Sequence, residues 1–154
     1  MGYRVGVLGA TGAVGSTILE ILAERRFPAD EVVAFTSERS TGRRVAFAGS
    51  ELECRVLDDE SIQGLDIVLS SAGGSVSAEW APRLVDAGAV VVDNTSYWRM
   101  HDDVPLVVSE VNPDAAADHV PGAVKALHEA FELGEDAVRR EEPAGEAHRP
   151  RVTS

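Results

Sequence analysis

Residues 3–15 read YRVGVLGATGAVG, a short apolar run followed by three glycines at equal spacing. The run predicts a strand, the glycines a tight turn, and the periodic apolar residues beyond them a helix that ends before Pro28. In this arrangement Gly9 permits the turn, Gly12 lets a bound group approach the backbone, and Gly15 lets the helix pack against the strand. The spacing is GxxGxxG rather than GxGxxG, so the motif favours a dinucleotide site but leaves open a glycine-rich turn without a ligand.

The chain beyond this turn alternates between strand patterns and helix patterns. A helix is predicted over residues 75–87, and two short runs on either side of Gly49-Ser50 predict a β-hairpin insertion. The predicted strands cover residues 31–37, 43–47, 52–57, 66–70, 89–93 and 104–109. Near-continuous apolar strands separated by helices are typical of a parallel sheet covered on both faces. The predicted fold class is therefore α/β, a doubly wound, mainly parallel sheet of the Rossmann type that carries a β-hairpin insertion.

The pattern changes at about residue 119. Residues 123–131 have helical spacing, whereas residues 141–150 are rich in Glu, Pro, Gly and Arg. We therefore predict one dinucleotide-binding domain over residues 1–118, and a divergent or truncated tail over residues 119–154 that is partly helical and then disordered.

Composition argues against several classes of function. The formal net charge is −12, with 26 acidic against 14 basic residues, which argues against nucleic acid as a partner because phosphate backbones bind basic surfaces. The sequence has no recognisable leader and no apolar stretch long enough for a membrane span, so a cytoplasmic protein without a membrane partner is expected. The single cysteine, Cys54, is expected to be a buried, inert thiol, and the four histidines have no spacing typical of a triad or metal site. No residue is therefore predicted to be catalytic, and no metal site is predicted.

Small and polar residues follow two of the predicted strands. After the second strand, the hydroxyls of Ser37 and Ser40 with the guanidinium of Arg39 suit the 2′-phosphate of NADP. Glu38 in the same segment suits a ribose 2′-hydroxyl, and a solvated polar loop is the alternative without a ligand. After the strand over residues 66–70, the small residues Ser71, Ala72 and Gly73 leave room for a ribose or nicotinamide, unless they form an ordinary turn between strand and helix.

A further loop combines hydrogen-bonding groups with a lone arginine. Asn94 and Arg99 follow the strand over residues 89–93, and together they suit an anionic substrate. Taken without the other segments, the pattern equally describes a surface arginine beside a packed tryptophan, Trp98.

Five segments together resemble aspartate-semialdehyde dehydrogenase, in that family's order and spacing, over about residues 3–114. They are GATGAVG at residues 9–15, SERSTG at 37–42, SAGG at 71–74, DNTS with WR at 93–99, and VPLVVSEVN at 104–112. The resemblance implies NADPH-dependent reduction of aspartyl 4-phosphate to aspartate semialdehyde, on the route to lysine, threonine and methionine, by a homodimer. It also implies roles for individual residues. The pyrophosphate would lie on Thr11, Gly12, Ala13 and Val14, the 2′-phosphate on Arg39 and Ser40, and the substrate or inorganic phosphate on Arg99 with Asn94.

The sequence departs from that family after Asn112. The family has an Asn-Cys pair shortly after this position, whose thiolate attacks the acyl phosphate, and a catalytic and dimerisation domain follows; here the chain continues DHVPGA at residues 118–123. Without that thiol no acyl-enzyme forms, so we expect NADP binding without catalysis, from a chain that is truncated, frameshifted or internally deleted. Lost domain contacts should leave an apolar face exposed. The alternatives are a non-catalytic NADP-binding regulatory module and an N-acetylglutamyl-phosphate reductase-like scaffold.

Overall fold

A parallel sheet of four strands organises the chain, whose residues 2–108 and 110–119 are described by a computed structural model. The strands are β1 (Tyr3–Leu8), β2 (Ala29–Phe35), β5 (Ile67–Ser70) and β6 (Val90–Asp93), and β3 (Arg44–Phe47) and β4 (Ser50–Glu53) form a separate antiparallel hairpin. The helices are α1 (Ala13–Glu24), α2 (Gly74–Asp86) and α3 (Asp114–His119), with 3₁₀ turns at Glu38–Ser40 and Tyr97–Met100. The sheet order is β2-β1-β5-β6, which confirms the predicted fold class and its hairpin insertion.

Both faces of the sheet are buried because successive residues of a strand point to opposite sides. Val5 and Val7 of β1 pack with Leu19 of α1 on one side, whereas Leu8 packs with Leu84 of α2 on the other. The chain leaves β1 towards β2 and then returns to the opposite side of β1 to form β5. Ligands of open α/β sheets bind at such a change of direction, outside the carboxyl ends of the strands.

The hairpin differs from its prediction in the second strand. β4 ends at Glu53, and Cys54 enters the core beside α1, where it is 1% exposed. Arg55 then lies beside β2: its N–H donates to the carbonyl of Ala34, and its carbonyl accepts from the N–H of Thr36, both at 2.9 Å. The predicted strand over residues 52–57 is therefore wrong beyond Glu53, because the chain leaves the hairpin to cover the outer edge of β2.

The strand predicted over residues 104–109 is also wrong, since residues 104–108 form no strand. The Asn112 amide binds this backbone instead: its Oδ1 accepts from the N–H of Val108 at 2.7 Å, and its Nδ2 donates to the carbonyl of Leu106 at 2.8 Å. Pro105 has no N–H to donate, and a side chain that binds the local backbone competes with a sheet ladder. Several large apolar side chains in and near this segment are exposed. The exposed side chains are Met100, Leu106, Val107, Val108 and Val111.

The start of the predicted short helix at Asn112-Pro113 is close to the observed α3. The helix predicted over residues 123–131 and the disordered end of the tail lie outside the described residues. Within residues 2–108 and 110–119, no helix is both long and apolar enough to cross a membrane.

Candidate functional site

The glycine turn lies at the carboxyl end of β1, wedged between its two neighbouring strands. The N–H groups of Gly9 and Ala10 both donate to the carbonyl of Phe35, the last residue of β2, at 3.0 Å. Gly9 has φ +78°, and a Cβ there would come within 3.0 Å of the backbone of Ser71, the first residue after β5. Only glycine combines this conformation with so close a backbone approach.

The first turn of α1 begins directly on this glycine turn. A Cβ on Gly15 would overlap the carbonyl of Gly9, and one on Gly12 would lie 3.3 Å from the same oxygen. The amides of Ala13 and Val14 have no acceptor within the helix, because they belong to its first turn, which contains no acidic residue. These N–H groups and the positive end of the helix dipole form a site for an anion such as a pyrophosphate.

A cleft of about 520 Å³ opens beside the turn, a volume typical of a small-molecule site. The hydroxyls of Thr11 and Thr36 lie 3.0 Å apart on its wall and join the glycine turn to the end of β2. Its polar lining comes mainly from predicted site segments. These polar and small residues are Gly9, Thr11, Gly12, Thr36, Ser37, Glu38, Ser71, Ala72 and Glu79.

The apolar lining of the cleft was missed by sequence reasoning. Val76 and Trp80 reach it from α2, and Val56 and Leu57 reach it from the segment that runs beside β2. Val76 and Trp80 have i, i+4 spacing and follow the small residues at 71–74 closely, so a local sequence signal for this wall exists. Val56 and Leu57 carried no such signal, because their position depends on where the chain passes after the hairpin.

Trp80 is supported from the side of α2. The Arg83 guanidinium lies over the Trp80 ring, 4.5 Å from its centroid, and pairs with the Asp59 carboxylate at 3.2 Å. A cation over the face of an indole is attracted by its negative π surface, which favours the observed indole position.

Only part of the segment predicted to bind the adenosine ribose and its 2′-phosphate, residues 37–40, lines the cleft. Ser37 and Glu38 line the cleft, whereas Arg39 and Ser40 lie outside its lining. Arg39 is exposed and makes no ion pair or side-chain hydrogen bond to another described residue, so its guanidinium is available to a ligand. Glu38 thus belongs to the cleft lining, and Arg39, the next residue along the chain, is exposed outside it.

The small residues after β5 have two kinds of contact. Ser71 and Ala72 line the cleft, but the Ser71 hydroxyl donates to the carbonyl of Leu8 at 3.1 Å and so ties this turn to β1. Gly73 lies outside the lining and has φ +93°, where the chain turns into α2. Space for a ligand here comes from small side chains and the adjacent backbone.

Asn94 and Arg99 follow β6, at the same edge of the sheet as the turn after β5 but one strand further from the glycine turn. The N–H of Asn94 donates to the carbonyl of Ser70 at 2.9 Å, and Arg99 Nη2 donates to the carbonyl of Asn94 at 3.3 Å. Both residues are exposed, and neither lines the cleft. Tyr97 lies against the start of α2, since its Cβ would be 3.7 Å from a Cβ on Gly74. The structure thus brings Asn94 and Arg99 together beside the turn after β5.

A hydrogen-bonded relay through Trp98, Ser77 and Asp93 supports the loop that carries Arg99, which follows β6. The Trp98 indole Nε1 donates to the hydroxyl of Ser77 at 2.8 Å, and that hydroxyl donates to the Asp93 carboxylate. The other Asp93 oxygen accepts from the N–H of Thr95 at 2.6 Å. Ser77 is only 1% exposed, so the relay joins α2, β6 and the 3₁₀ turn beneath the surface.

Cys54 is remote from this edge and belongs to the core cluster beside α1. Burial raises the pKa of its thiol, an effect that the nearby Arg43 only partly offsets. The expected burial of this thiol is confirmed, and its lack of reactivity stays a prediction. Among the described residues, no three His, Cys, Asp or Glu side chains are grouped closely enough to hold a metal ion.

Comparison with known proteins agrees with this geometry. Residues 4–119 match the model of the family "Semialdehyde dehydrogenase, NAD binding domain". The chain is 56% identical over 119 residues to an aspartate-semialdehyde dehydrogenase of Aquifex aeolicus, and the match covers 77% of this chain and 35% of that protein. The chain thus spans about a third of the length of the curated relatives it matches.

Solved structures give the same result. Aspartate semialdehyde dehydrogenase II of Vibrio cholerae, complexed with ASA, aligns with a TM-score of 0.73 and 47% identity, over 77% of this chain and 39% of that one. The enzyme of Candida albicans, solved with NADP, aligns with a TM-score of 0.62 and 27% identity, over 81% and 38% of the two chains. The resemblance that the five sequence segments carry is confirmed.

Proposed function

The chain belongs to the semialdehyde dehydrogenase family through its NAD-binding domain, and we propose on this basis that its cleft binds NADP(H) as the nucleotide-binding part of an aspartate-semialdehyde dehydrogenase. The observation that carries the proposal is the glycine turn beside the cleft. The amides of Ala13 and Val14 have no acceptor in the helix, Gly9, Gly12 and Gly15 carry no side chain, and the turn lies where α/β sheets bind dinucleotides. We place the boundary of this nucleotide-binding unit at about residue 118.

In this proposal Thr11, Gly12, Ala13 and Val14 hold the pyrophosphate, with Gly9 and Gly15 shaping the turn. Ser71, Ala72 and Gly73 give the ribose or nicotinamide its space at the end of β5. The apolar wall of Val56, Leu57, Val76 and Trp80 offers a surface for an aromatic base.

The preference for NADP over NAD is assigned to Arg39, with Ser37 and Ser40. The exposed guanidinium has no competing acidic partner among the described residues, and it can bind a 2′-phosphate through two charge-assisted hydrogen bonds. Glu38 lines the cleft and repels the same phosphate. The preference for NADP therefore requires that the attraction of the phosphate to Arg39 be stronger than its repulsion by Glu38.

The whole protein is proposed to reduce aspartyl 4-phosphate to aspartate semialdehyde, for which bound NADPH supplies the hydride. Arg99, assisted by Asn94, holds the phosphate of the substrate or inorganic phosphate. Covalent catalysis of this kind also needs a thiolate. Cys54 does not supply one, because it is 1% exposed and burial raises the pKa of its thiol. We therefore propose that this chain binds the cofactor without turning over substrate.

Calorimetric titration of the full chain with NADPH and with NADH tests the proposal. NADPH is expected to bind with a Kd in about the micromolar range, and NADH about tenfold more weakly. A parallel assay with NADP, inorganic phosphate and aspartate semialdehyde should yield no NADPH. Absence of binding by either cofactor would contradict the proposed function, and measurable turnover would contradict the account of the thiol.

Loss of NADPH affinity in an Arg39→Ala variant has a matched control. Arg44→Ala removes an exposed arginine on the hairpin, outside the cleft lining. It should leave both dissociation constants unchanged. A similar loss of NADPH affinity in this variant would mean that the affinity follows net charge and not the proposed site.

A further inference from the structure

We propose that Ser77 and Asp93 are positioning residues for Arg99, acting through Trp98 to hold its loop in the geometry that binds a phosphate dianion. The inference rests on the proposed phosphate-binding role of Arg99. Neither Ser77 nor Asp93 lines the cleft, and neither belongs to the residues assigned to cofactor or substrate.

The connection begins inside α2. The Ser77 hydroxyl is buried and uses its one proton for the Asp93 carboxylate, while its lone pair accepts from the Trp98 indole. A hydroxyl with both a charged acceptor and a donor is confined to one rotamer, and hydrogen bonds to a charged group are stronger than neutral ones. Trp98 is thereby fixed against α2.

Asp93 ties the same relay to the backbone of the loop. It is the last residue of β6, and its second oxygen accepts from the N–H of Thr95 two residues later. The direction of the chain immediately after the strand is therefore set by the carboxylate. Because Asn94 lies between these two residues, the carbonyl that receives the Arg99 guanidinium is held by the same bonds.

The aromatic side chains of the 3₁₀ turn complete the support. The Trp98 ring lies 4.9 Å from the ring of Tyr97 and 4.9 Å from that of His101, measured between centroids. Arg99 follows Trp98 directly and is exposed, and its guanidinium donates to the carbonyl of Asn94. The arginine thus projects from a turn whose orientation is set by the partly buried indole.

The relay also reaches the cofactor cleft. Ser77 follows Val76 and precedes Trp80 by three residues on α2, and both of those side chains line the cleft. One helix therefore carries the cleft wall on one face and the support of the Arg99 loop on the neighbouring face. This arrangement fixes the distance between the proposed cofactor and phosphate sites.

The test is titration of the full chain with inorganic phosphate, in which Arg99→Ala defines the part of binding due to Arg99. Ser77→Ala is expected to weaken that part about fivefold, and Asp93→Ala about tenfold, because loss of one or two hydrogen bonds releases the loop. Asp93→Asn keeps the acceptor for Thr95 and should recover most of the affinity.

NADPH affinity, measured in parallel, should stay within about twofold of wild type, whereas general damage to the fold would lower both affinities.

Ser75→Ala is the matched control, since Ser75 is an exposed serine of the same helix outside the relay. It should leave phosphate binding unchanged. A spectroscopic measurement is independent of affinity: in a Trp80→Phe background, the Trp98 indole proton should exchange with solvent faster once Ser77 is alanine.

Unchanged Arg99-dependent phosphate binding in both Ser77→Ala and Asp93→Ala overturns the inference, as does a wild type with no Arg99-dependent binding at all. Failure of the proposed cofactor function is a different result, namely loss of NADPH binding by the wild type. The two failures are therefore distinguishable in one set of titrations.

Discussion

The glycine turn (residues 9–15), which follows β1, and the segment after β6 (residues 94–108 and 110–112) are held by different means. Backbone contacts at its glycines mainly shape the glycine turn: two N–H groups share the carbonyl of Phe35, and Gly15 lies against Gly9. Side chains hold the other segment, through Asp93, Trp98 and Asn112. A turn that requires glycine can be recognised in the sequence, whereas a loop held by side-chain hydrogen bonds cannot, because many residue patterns allow such bonds.

The largest expected effect is that of Gly15→Ala, which tests how rigid the backbone-built region is. Its Cβ would overlap the Gly9 carbonyl, so either the helix or the turn must move. We expect a loss of more than about 3 kcal/mol in the free energy of unfolding, measured by urea denaturation, and loss of NADPH binding.

Gly74→Ala is the control for this steric argument. The new methyl group would meet the Cβ of Tyr97 at 3.7 Å, an ordinary contact, and the free energy of unfolding should barely change. If Gly15→Ala behaved like Gly74→Ala, the glycine turn would be more adaptable than the comparison claims.

Arg39→Ala tests whether an exposed side chain gives selectivity for NADPH over NADH to a site whose turn is formed by backbone. NADPH affinity is expected to fall at least about tenfold, since charge-assisted hydrogen bonds to the 2′-phosphate are lost, while NADH affinity stays constant. Glu38→Gln should act in the opposite direction and strengthen NADPH binding. Equal losses for both cofactors would assign Arg39 to the fold and not to the 2′-phosphate.

Asn112→Ala probes the side-chain-built segment. Removal of the amide frees the N–H of Val108 and the carbonyl of Leu106, at an expected cost of about 1 kcal/mol in stability. Hydrogen exchange at Val108 should accelerate, and NADPH affinity should not change, because this segment does not line the cleft. A parallel loss of cofactor binding would show that the two regions are coupled.

The smallest expected effect concerns Cys54 in the core beside α1. Burial raises the pKa of this thiol above its unfolded value, so its contribution to stability is fully present below the unfolded pKa and is lost as pH rises through the folded pKa. Denaturation curves should therefore show a decline in stability in the alkaline range above about pH 9 that is absent in Cys54→Ala. An identical pH profile in the two proteins would mean that the thiol is less buried than its 1% exposure indicates.

The predictions made from the sequence succeeded where hydrophobic periodicity and glycine geometry decide the structure. Strand, turn and helix around Gly9, Gly12 and Gly15 follow from periodicity and from the conformation that only glycine adopts easily. The strand predicted over residues 104–109 failed because an apolar alternating run forms a strand only where a partner strand accepts it. Here Asn112 binds that backbone first.

The candidate site likewise has features that the sequence predicted and features that only the tertiary structure shows. The sequence alone determined the fold class, the position of the glycine turn and the family resemblance, because each depends on the order and type of residues along the chain and not on contacts between its segments. Only the tertiary structure decided that Glu38 lines the cleft and Arg39 does not, that Val56 and Leu57 complete its wall, and that Ser77 meets Asp93 and Trp98. These contacts join residues brought together by chain crossings, and their energies depend on burial and distance, which no local pattern encodes.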